Sequence, residues 1–207
     1  GLWYIDDMTL KTRGDGTSSD DMSREIYGTD FKGTSEDSIN GFEGWSVDRY
    51  GGATISYCFD EKDGNTAVRL EHSGDASSAR RMTRNLGTDK DLLISQLVYM
   101  PSQYNGSVNG GIFNVFLRDQ DAKPTNNLLS MSKGTLTCGG YKASYPQDKW
   151  FKLEILLHTK ENTYDVYADG AKVNSSPMAL SGSTVTLLSS LEYEMQRWAP
   201  GAAYMTR

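Results

Sequence analysis

Residues 150–173 read WFKLEILLHTKENTYDVYADGAKV and carry the clearest secondary-structure pattern of the chain. Apolar and polar side chains alternate through residues 150–158 and again through residues 163–168, with a polar turn between them. This period of two predicts two β-strands, and the Asp-Gly step at residues 169–170 predicts a tight hairpin into a third strand. The segment is therefore predicted to form an antiparallel meander.

The same alternation recurs along the rest of the chain, where turn residues separate short apolar stretches. Further strands are predicted at residues 52–59, 66–72, 80–86, 92–100, 111–118, 128–131, 135–138 and 185–195. Residues 89–97 could be forced into a helix, but Ile94 and the following Leu-Val-Tyr ending at residues 97–99 suit a strand better. About a dozen short strands with regularly spaced turns predict an all-β protein, a two-sheet antiparallel jelly-roll sandwich.

Composition narrows the classes of protein and of partner. The chain has 207 residues, of which 37% are hydrophobic, and this is enough for the core of one large domain. Its 21 glycines and 12 tyrosines favour turns and strands. A net charge of −6 argues against a nucleic-acid partner, and no apolar run is long enough for a membrane span.

The two cysteines, Cys58 and Cys138, are widely separated in the sequence. His72 and His158 are isolated and no Cys-x-x-Cys motif occurs, so the spacing does not match a zinc site. Two alternatives remain open, namely a disulfide in an exported protein and a pair of buried free thiols.

A family resemblance follows from these segments. The meander has the form W-x-K-L-E-I-x-L-x-x-x-x-N-T-Y-D-V-Y-x-D-G-x-x-V and resembles the concanavalin A-like (laminin-G/pentraxin-like) jelly rolls. The D-F-x-G stretch at residues 30–33, G-F-E-G-W-S-V at residues 41–47 and G-N-T-A-V-R-L at residues 64–70 are similar to bacterial extracellular modules of this superfamily. The resemblance implies a sandwich and an extracellular or cell-surface location. It leaves the function open, because the fold hosts lectins, glycosidases, lyases and adhesin repeats.

The N-terminal strand has an unusual position. Residues 3–8, WYIDDM, resemble the F-Y-I-D-D-V strand that commonly ends such modules, and residues 202–207 joined to them read as one hairpin. We therefore expect this strand to occupy the place of a domain's last strand, with Trp3 or Tyr4 between the sheets. The expected division is an N-terminal strand at 1–13, a linker at 14–24 and a β-sandwich domain at 25–207.

Two arrangements complete such a sandwich. The N-terminal strand can pair within its own chain, since the termini of jelly rolls lie close together. Alternatively, it can insert into an identical subunit by donor-strand complementation, which would build a structural filament or a tandem-repeat surface protein. The sequence leaves both arrangements open.

Catalysis would require a constellation of side chains that the sequence does not show. Glycosidases of this fold carry an E-x-D-x-(x)-E strand, which is absent; Glu192 and Glu194 share a strand face, where we expect two solvated carboxylates. No lyase motif joins the histidines, arginines and tyrosines, and we expect His158 to be an exposed histidine. The sequence thus favours a noncatalytic module, with a jelly-roll polysaccharide lyase or glycoside hydrolase as the alternative.

Binding of a polysaccharide or other glycan is the expected role, because aromatic rings stack on pyranose faces while polar groups bind hydroxyls. Tyr104 and Trp198 lie among polar, glycine or proline residues and are expected to be exposed. Trp45 and Trp150 stand at strand starts and are expected in the core. The predicted ligand-binding residues are Tyr104, Trp198, Tyr50, Arg80 and Tyr141.

One structural calcium ion is expected as a cofactor. The resembled modules often hold an ion between the first strand and the terminal Asp-Asp strand, and calcium requires hard oxygen ligands. The residues that the resemblance implies are Asp6, Asp7, Asp30 and Glu43. Since Asp6 and Asp7 face opposite sides of a strand, we expect at most one of the two to enter the site.

Overall fold

The structure is a computed structural model that describes residues 2–12, 22, 24–31, 39–49, 54–62, 65–73, 79–102, 112–118, 124–180 and 188–196. These residues form sixteen β-strands and one 3-10 turn at Phe42–Gly44, and they include no α-helix. Two antiparallel sheets enclose a shared apolar core, which confirms the predicted β-sandwich. The predicted strand at residues 92–100 is confirmed over the helical alternative.

The first sheet has nine strands. They are β1 (Leu2–Thr12), β2 (Arg24–Thr29), β4 (Thr54–Lys62), β5 (Asn65–Ser73), β7 (Leu92–Tyr99), β12 (Phe151–His158), β13 (Thr163–Ala168), β14 (Ala171–Lys172) and β15 (Met178–Ala179). Their order is β14-β13-β12-β7-β1-β5-β4, with β15 beside β13 and β2 beside β1. The predicted meander is therefore one edge of this sheet.

The second sheet has seven strands. They are β3 (Trp45–Arg49), β6 (Ala79–Thr88), β8 (Ile112–Arg118), β9 (Pro124–Ser132), β10 (Thr135–Cys138), β11 (Tyr141–Ser144) and β16 (Leu188–Gln196). Their order is β11-β10-β9-β8-β16-β6-β3, so β16 lies near the centre of the sheet, between β8 and β6.

Strand β1 lies inside the first sheet and pairs within its own chain. It pairs with β7 along one edge, and with β5 and then β2 along the other. Trp3 projects between the sheets and stacks on Phe113, with ring centroids 5.2 Å apart. The described partners of β1 are thus β2, β5 and β7. Residues 202–206, with which the joined sequence reads as one hairpin, lie outside the described residues.

A β-bulge interrupts β1 at its Asp-Asp pair. The register with β7 shifts between Asp6 and Thr9, and Asp7 has a φ of 45°. Such a bulge adds an unpaired residue and changes the direction of its side chain. Asp6 is consequently buried, Asp7 is exposed, and Met8 returns to the core.

The two tryptophans expected in the core have different surroundings. Trp45 lies in the core as predicted, with its ring 5.8 Å from that of Tyr193. The prediction for Trp150 is wrong, because it packs on the outer face of the first sheet against Tyr99 and is only partly buried. Trp150 immediately precedes β12, and adjacent residues of a strand face opposite sides of the sheet. Because Phe151 faces the core, Trp150 faces outward.

Candidate functional site

The outer face of the second sheet is polar across its four central strands. Leu191, Tyr193 and Met195 of β16 fill the core, so the alternate residues of this strand face outward. One cross-strand row contains Arg81, Glu194, Asn114 and Ser130. The adjacent row contains Thr83, Glu192, Phe116 and Asn127. We call these eight side chains the polar face; paired neighbours in it are separated by about 4.5–5.5 Å between Cβ atoms.

Both glutamates of the polar face are buried and paired with arginines. Glu194 is 0% exposed, and its Oε2 accepts a hydrogen bond from Nε of Arg81 at 2.6 Å. Glu192 is 4% exposed, and its Oε1 accepts a hydrogen bond from Nε of Arg118. Its other oxygen, Oε2, lies 3.8 Å from Nη1 of Arg81. The expectation of two solvated carboxylates is therefore wrong, because two guanidinium groups replace water as their partners.

Amide and hydroxyl groups continue the polar face toward β9. Oδ1 of Asn114 accepts hydrogen bonds from Oγ of Ser130 at 2.6 Å and from Nδ2 of Asn127 at 3.5 Å. Nδ2 of Asn127 also donates to Oγ of Ser130 at 2.9 Å. On the other side, Oγ1 of Thr83 is buried and has no hydrogen-bond partner among the described residues. The face thus presents oriented donors and acceptors beside an unsatisfied hydroxyl.

Phe116 is the single aromatic side chain of the polar face, and it is partly exposed. The guanidinium carbon of Arg81 lies 5.7 Å from the centroid of its ring, within the range of a cation–π interaction. An apolar ring beside hydrogen-bonding groups can stack on a flat ligand while its polar neighbours bind the ligand's hydroxyl groups.

The structure describes few of the predicted ligand-binding side chains, and the sequence-based prediction of these residues stays a prediction. Tyr50, Tyr104 and Trp198 lie outside the described residues. Arg80 pairs through its backbone with Met195 in β6–β16, and its side chain is not among those described. Tyr141 lies in β11, at the sheet edge, and its hydroxyl hydrogen-bonds to Ser175 and Ser176, which lower its pKa.

Three of the four predicted metal ligands line one cleft. This open cleft, of about 470 Å³, lies beside the bulge of β1 and is lined by Asp7, Thr9, Glu25, Gly28, Thr29, Asp30 and Glu43. Asp6 is not among the lining residues and is 3% exposed. We call this feature the acidic cleft; it adds Glu25, which the sequence analysis missed, to Asp7, Asp30 and Glu43.

A network at the end of the sandwich fixes Glu43. The hydroxyl of Tyr27 donates to Oε2 of Glu43 at 3.0 Å and accepts from Nε1 of Trp45 at 3.0 Å. Arg84 stacks on the ring of Tyr27 at 3.4 Å from its centroid and donates to the backbone oxygen of Glu43. Burial raises the pKa of Tyr27, which therefore remains a donor to Glu43 at neutral pH.

A mixed cluster of histidine and carboxylates lies where β7 begins and β12 ends. Ligand atoms of Asp91, His158 and Glu161 all lie within 4.8 Å of one another. The expectation of an exposed His158 is wrong, because its side chain is 25% exposed and its Nε2 lies 3.4 Å from Oδ2 of Asp165. Burial acts to raise the pKa of Asp165, but hydrogen bonds from Lys172, Asn174 and His158 lower it below its usual range.

Cys138 is a free thiol buried in the core, so this structure supports the free-thiol alternative for that residue. Burial raises the pKa of Cys138 to about 11. A thiol with so high a pKa is a poor nucleophile at neutral pH. The side chain of Cys58 is not described.

Sequence reasoning missed most of the polar face. Alternation in β8 predicts that Asn114, Phe116 and Arg118 share one side of the strand, opposite Phe113 and Val115. That signal is present in the sequence. It does not identify which strands flank β8. The polar face combines side chains from four strands, namely β6, β16, β8 and β9.

Comparison with solved structures supports the fold. A sialidase matches with a TM-score of 0.52 and 18% sequence identity. The match covers 79% of this chain and 15% of the sialidase chain. An alginate lyase from Corynebacterium sp. matches with a TM-score of 0.36 and 10% identity over 95% of this chain and 86% of its own. Another alginate lyase, from polysaccharide lyase family 7, has a TM-score of 0.32 and 12% identity, with coverages of 92% and 91%.

The likeness to the sialidase shows the fold alone, and this chain spans far less than two thirds of the sialidase. No known protein family matches the chain, and no curated protein does either. The described residues contain no helix with the length and hydropathy that a membrane crossing requires.

Proposed function

We propose that this chain is a noncatalytic extracellular module that binds a glycan on its polar face. The observation that carries the proposal is the outer face of the second sheet, where seven of eight neighbouring side chains are polar and the eighth is Phe116. Glycan sites combine an aromatic ring, which stacks on a pyranose, with fixed groups that bind hydroxyls.

The hydrogen-bonding groups of the polar face suit hydroxyls that both donate and accept. Asn114, Asn127 and Ser130 supply amide and hydroxyl groups already oriented by mutual hydrogen bonds. Little rearrangement is needed for binding, so little conformational entropy is lost.

The charges of this region favour a neutral glycan over a polyuronate. Two carboxylates, Glu192 and Glu194, are matched by two guanidiniums, Arg81 and Arg118, which gives a net charge of 2 − 2 = 0. Recognition of a uronate requires a cation that is available to the ligand. Here both arginines already bind protein carboxylates.

The same ion pairs support a noncatalytic role. A glycosidase needs one carboxyl group that holds a proton for the leaving group and a second that acts as nucleophile or base. Glu192 and Glu194 are both buried and both accept hydrogen bonds from arginine, so neither carboxylate is open to a ligand on this face.

We also propose that the acidic cleft binds one structural calcium ion. Asp7, Glu25, Asp30 and Glu43 offer carboxylate oxygens, and the adjacent backbone offers carbonyl oxygens, which together suit the six to eight oxygen ligands of calcium. The ion would connect the bulge of β1 to β2 and to the turn before β3. Its role would be to stabilise the N-terminal strand in the first sheet.

Affinity electrophoresis on a panel of neutral and anionic polysaccharides tests the proposed function. We expect a neutral polysaccharide to retard the protein, with no release of reducing ends or unsaturated uronates from any member of the panel. Product release that is lost on replacement of one residue would instead support the lyase or hydrolase alternative. An unretarded protein that self-associates would support a structural subunit.

A further inference from the structure

Three metal-ligand side chains converge at one end of the first sheet. Leu157 of β12 faces Leu92 of β7, so His158 stands opposite Asp91 at the next position of the register. Glu161 follows in the turn between β12 and β13. One ligand atom from each of Asp91, His158 and Glu161 lies within 4.8 Å of the other two.

A buried carboxylate outside this group also contacts its histidine. Asp165 is 4% exposed, and its Oδ2 lies 3.4 Å from Nε2 of His158. Its position is fixed by Nδ2 of Asn174, 2.7 Å from Oδ1, and by Nζ of Lys172, 3.0 Å from Oδ2. Metal-binding histidines usually donate their other ring N–H to such a carboxylate, which selects the tautomer that binds the metal. Here that arrangement leaves Nδ1 as the ligand atom.

The second ligand is also held in place before any metal binds. Asp91 is 5% exposed, and its Oδ1 accepts hydrogen bonds from the backbone N–H and the hydroxyl of Thr159, both at 2.9 Å. The hydroxyl of Thr159 also lies 3.2 Å from the backbone oxygen of Asp89. These contacts connect the β6–β7 turn to the β12–β13 turn, and a metal ion would bridge the same two turns.

We propose that Asp91, His158 and Glu161 bind one zinc ion. Zinc sites with three protein ligands of nitrogen and oxygen, completed by water, are common, whereas calcium requires six or more oxygens. Ligand atoms around tetrahedral zinc are separated by about 3.3 Å, given bonds of about 2.0–2.2 Å. The exposed side chain of Glu161 can make most of the required inward movement, since it lies in a turn at the surface.

Calorimetric titration of the full chain with zinc tests this site, in a buffer that does not bind the metal. We expect one zinc per chain, and at least a tenfold weaker affinity for Glu161→Gln, which removes an exposed ligand and leaves the fold unchanged. The matched control is Glu154→Gln, on the outer face of β12, where Glu154 pairs with Lys152 at 2.6 Å. Its zinc affinity should equal that of the wild type.

A second measurement identifies the ligand atom and separates a specific site from incidental binding. The chain has two histidines, His72 and His158, so imidazole nitrogen NMR resolves each of them. Zinc should shift the Nδ1 signal of His158 and leave His72 unchanged. Asp165→Asn, which alters a positioning residue, should weaken binding by about 10–100-fold.

Three results would overturn the proposal. They are an absence of zinc binding, equal affinity for the wild type and Glu161→Gln, and a shift at His72 in place of His158. The test does not depend on glycan binding, because the zinc site lies on the first sheet and the polar face on the second.

Discussion

Nε of Arg81 lies 2.6 Å from Oε2 of Glu194, a carboxylate on the outer face of a sheet that is nevertheless completely buried. The residues are 113 positions apart and meet because β6 and β16 are adjacent. The same guanidinium approaches Glu192 and the ring of Phe116. Arg81 therefore contacts both carboxylates of the polar face and lies over its one aromatic ring.

Replacing Arg81 should destabilise the fold strongly. Arg81→Leu leaves the buried charge of Glu194 without this partner, and loss of one member of a buried ion pair typically costs about 3–5 kcal/mol. Arg81→Leu combined with Glu194→Gln should recover a large part of that loss, since the second change removes the charge. Urea unfolding of the two variants gives both free energies. Equal stability of Arg81→Leu and the wild type would mean that the pair is solvated.

Trp3 should contribute more to stability than Trp150. Trp3 is 0% exposed and stacks on Phe113 between the sheets, so Trp3→Ala should cost about 3–5 kcal/mol. Trp150→Ala is the matched control, because Trp150 lies on the outer face of the first sheet, and its cost should be smaller. Thermal and urea unfolding measure the difference. If the two losses are equal, the N-terminal strand does not pack as described.

Deleting residues 1–10 should prevent cooperative folding, because it removes a strand from the interior of the first sheet. Light scattering after size-exclusion chromatography should show the intact chain as a monomer, since β1 pairs within its own chain. Polymers that dissociate on deletion would instead demonstrate strand exchange between subunits. A deleted chain with an unchanged melting temperature would contradict both arrangements.

Calcium should raise the melting temperature if it binds the acidic cleft. A ligand at 100 times its dissociation constant stabilises the native state by about 2.7 kcal/mol, which is roughly 5–10 °C for a domain of this size. Asp30→Asn should remove most of this rise. Asp169→Asn is the control, because it retains an acceptor for the backbone N–H of Lys152 at a hairpin far from the cleft. An equal rise in both variants would place calcium elsewhere.

Cys138 should make stability depend on pH in the alkaline range. Its pKa is raised from 9.0 to about 11 because burial favours the neutral thiol. The folded state therefore holds this proton more tightly, and the stabilisation is complete below pH 9 and is lost as the pH rises toward 11. Between about pH 8 and pH 10, the wild type should lose about 1 kcal/mol more than Cys138→Ala. Identical losses in urea unfolding would contradict the raised pKa.

The strands of the sandwich could be predicted largely because their signals are local. The meander at residues 150–173 combines alternation with two turns, and β12, β13 and β14 follow that pattern. Strand β11, YKAS, was missed because it is short and has no buried side chain in its alternation. A segment with so weak a local pattern forms a strand because it pairs with β10.

The candidate sites were less predictable, because they depend on contacts between distant segments. Asp7, Asp30 and Glu43 were grouped through a family resemblance, whereas Glu25 joins them only because β2 pairs with β1. The carboxylate of Glu194 was expected in solvent because nothing in its own strand indicates Arg81. Alternation assigns a side chain to a face, but the pairing order of strands decides what covers it.

The central claim is that the polar face of the second sheet binds a glycan, and one comparison tests it most directly. The affinity of Phe116→Ala for a polysaccharide that retards the wild type should be compared with that of Tyr167→Ala. Tyr167 is a partly exposed aromatic residue of β13 in the opposite sheet. We predict a loss of about 1–3 kcal/mol, or roughly 5–150-fold, for Phe116→Ala and wild-type affinity for Tyr167→Ala. Wild-type affinity for Phe116→Ala, with both variants folded, would contradict the claim.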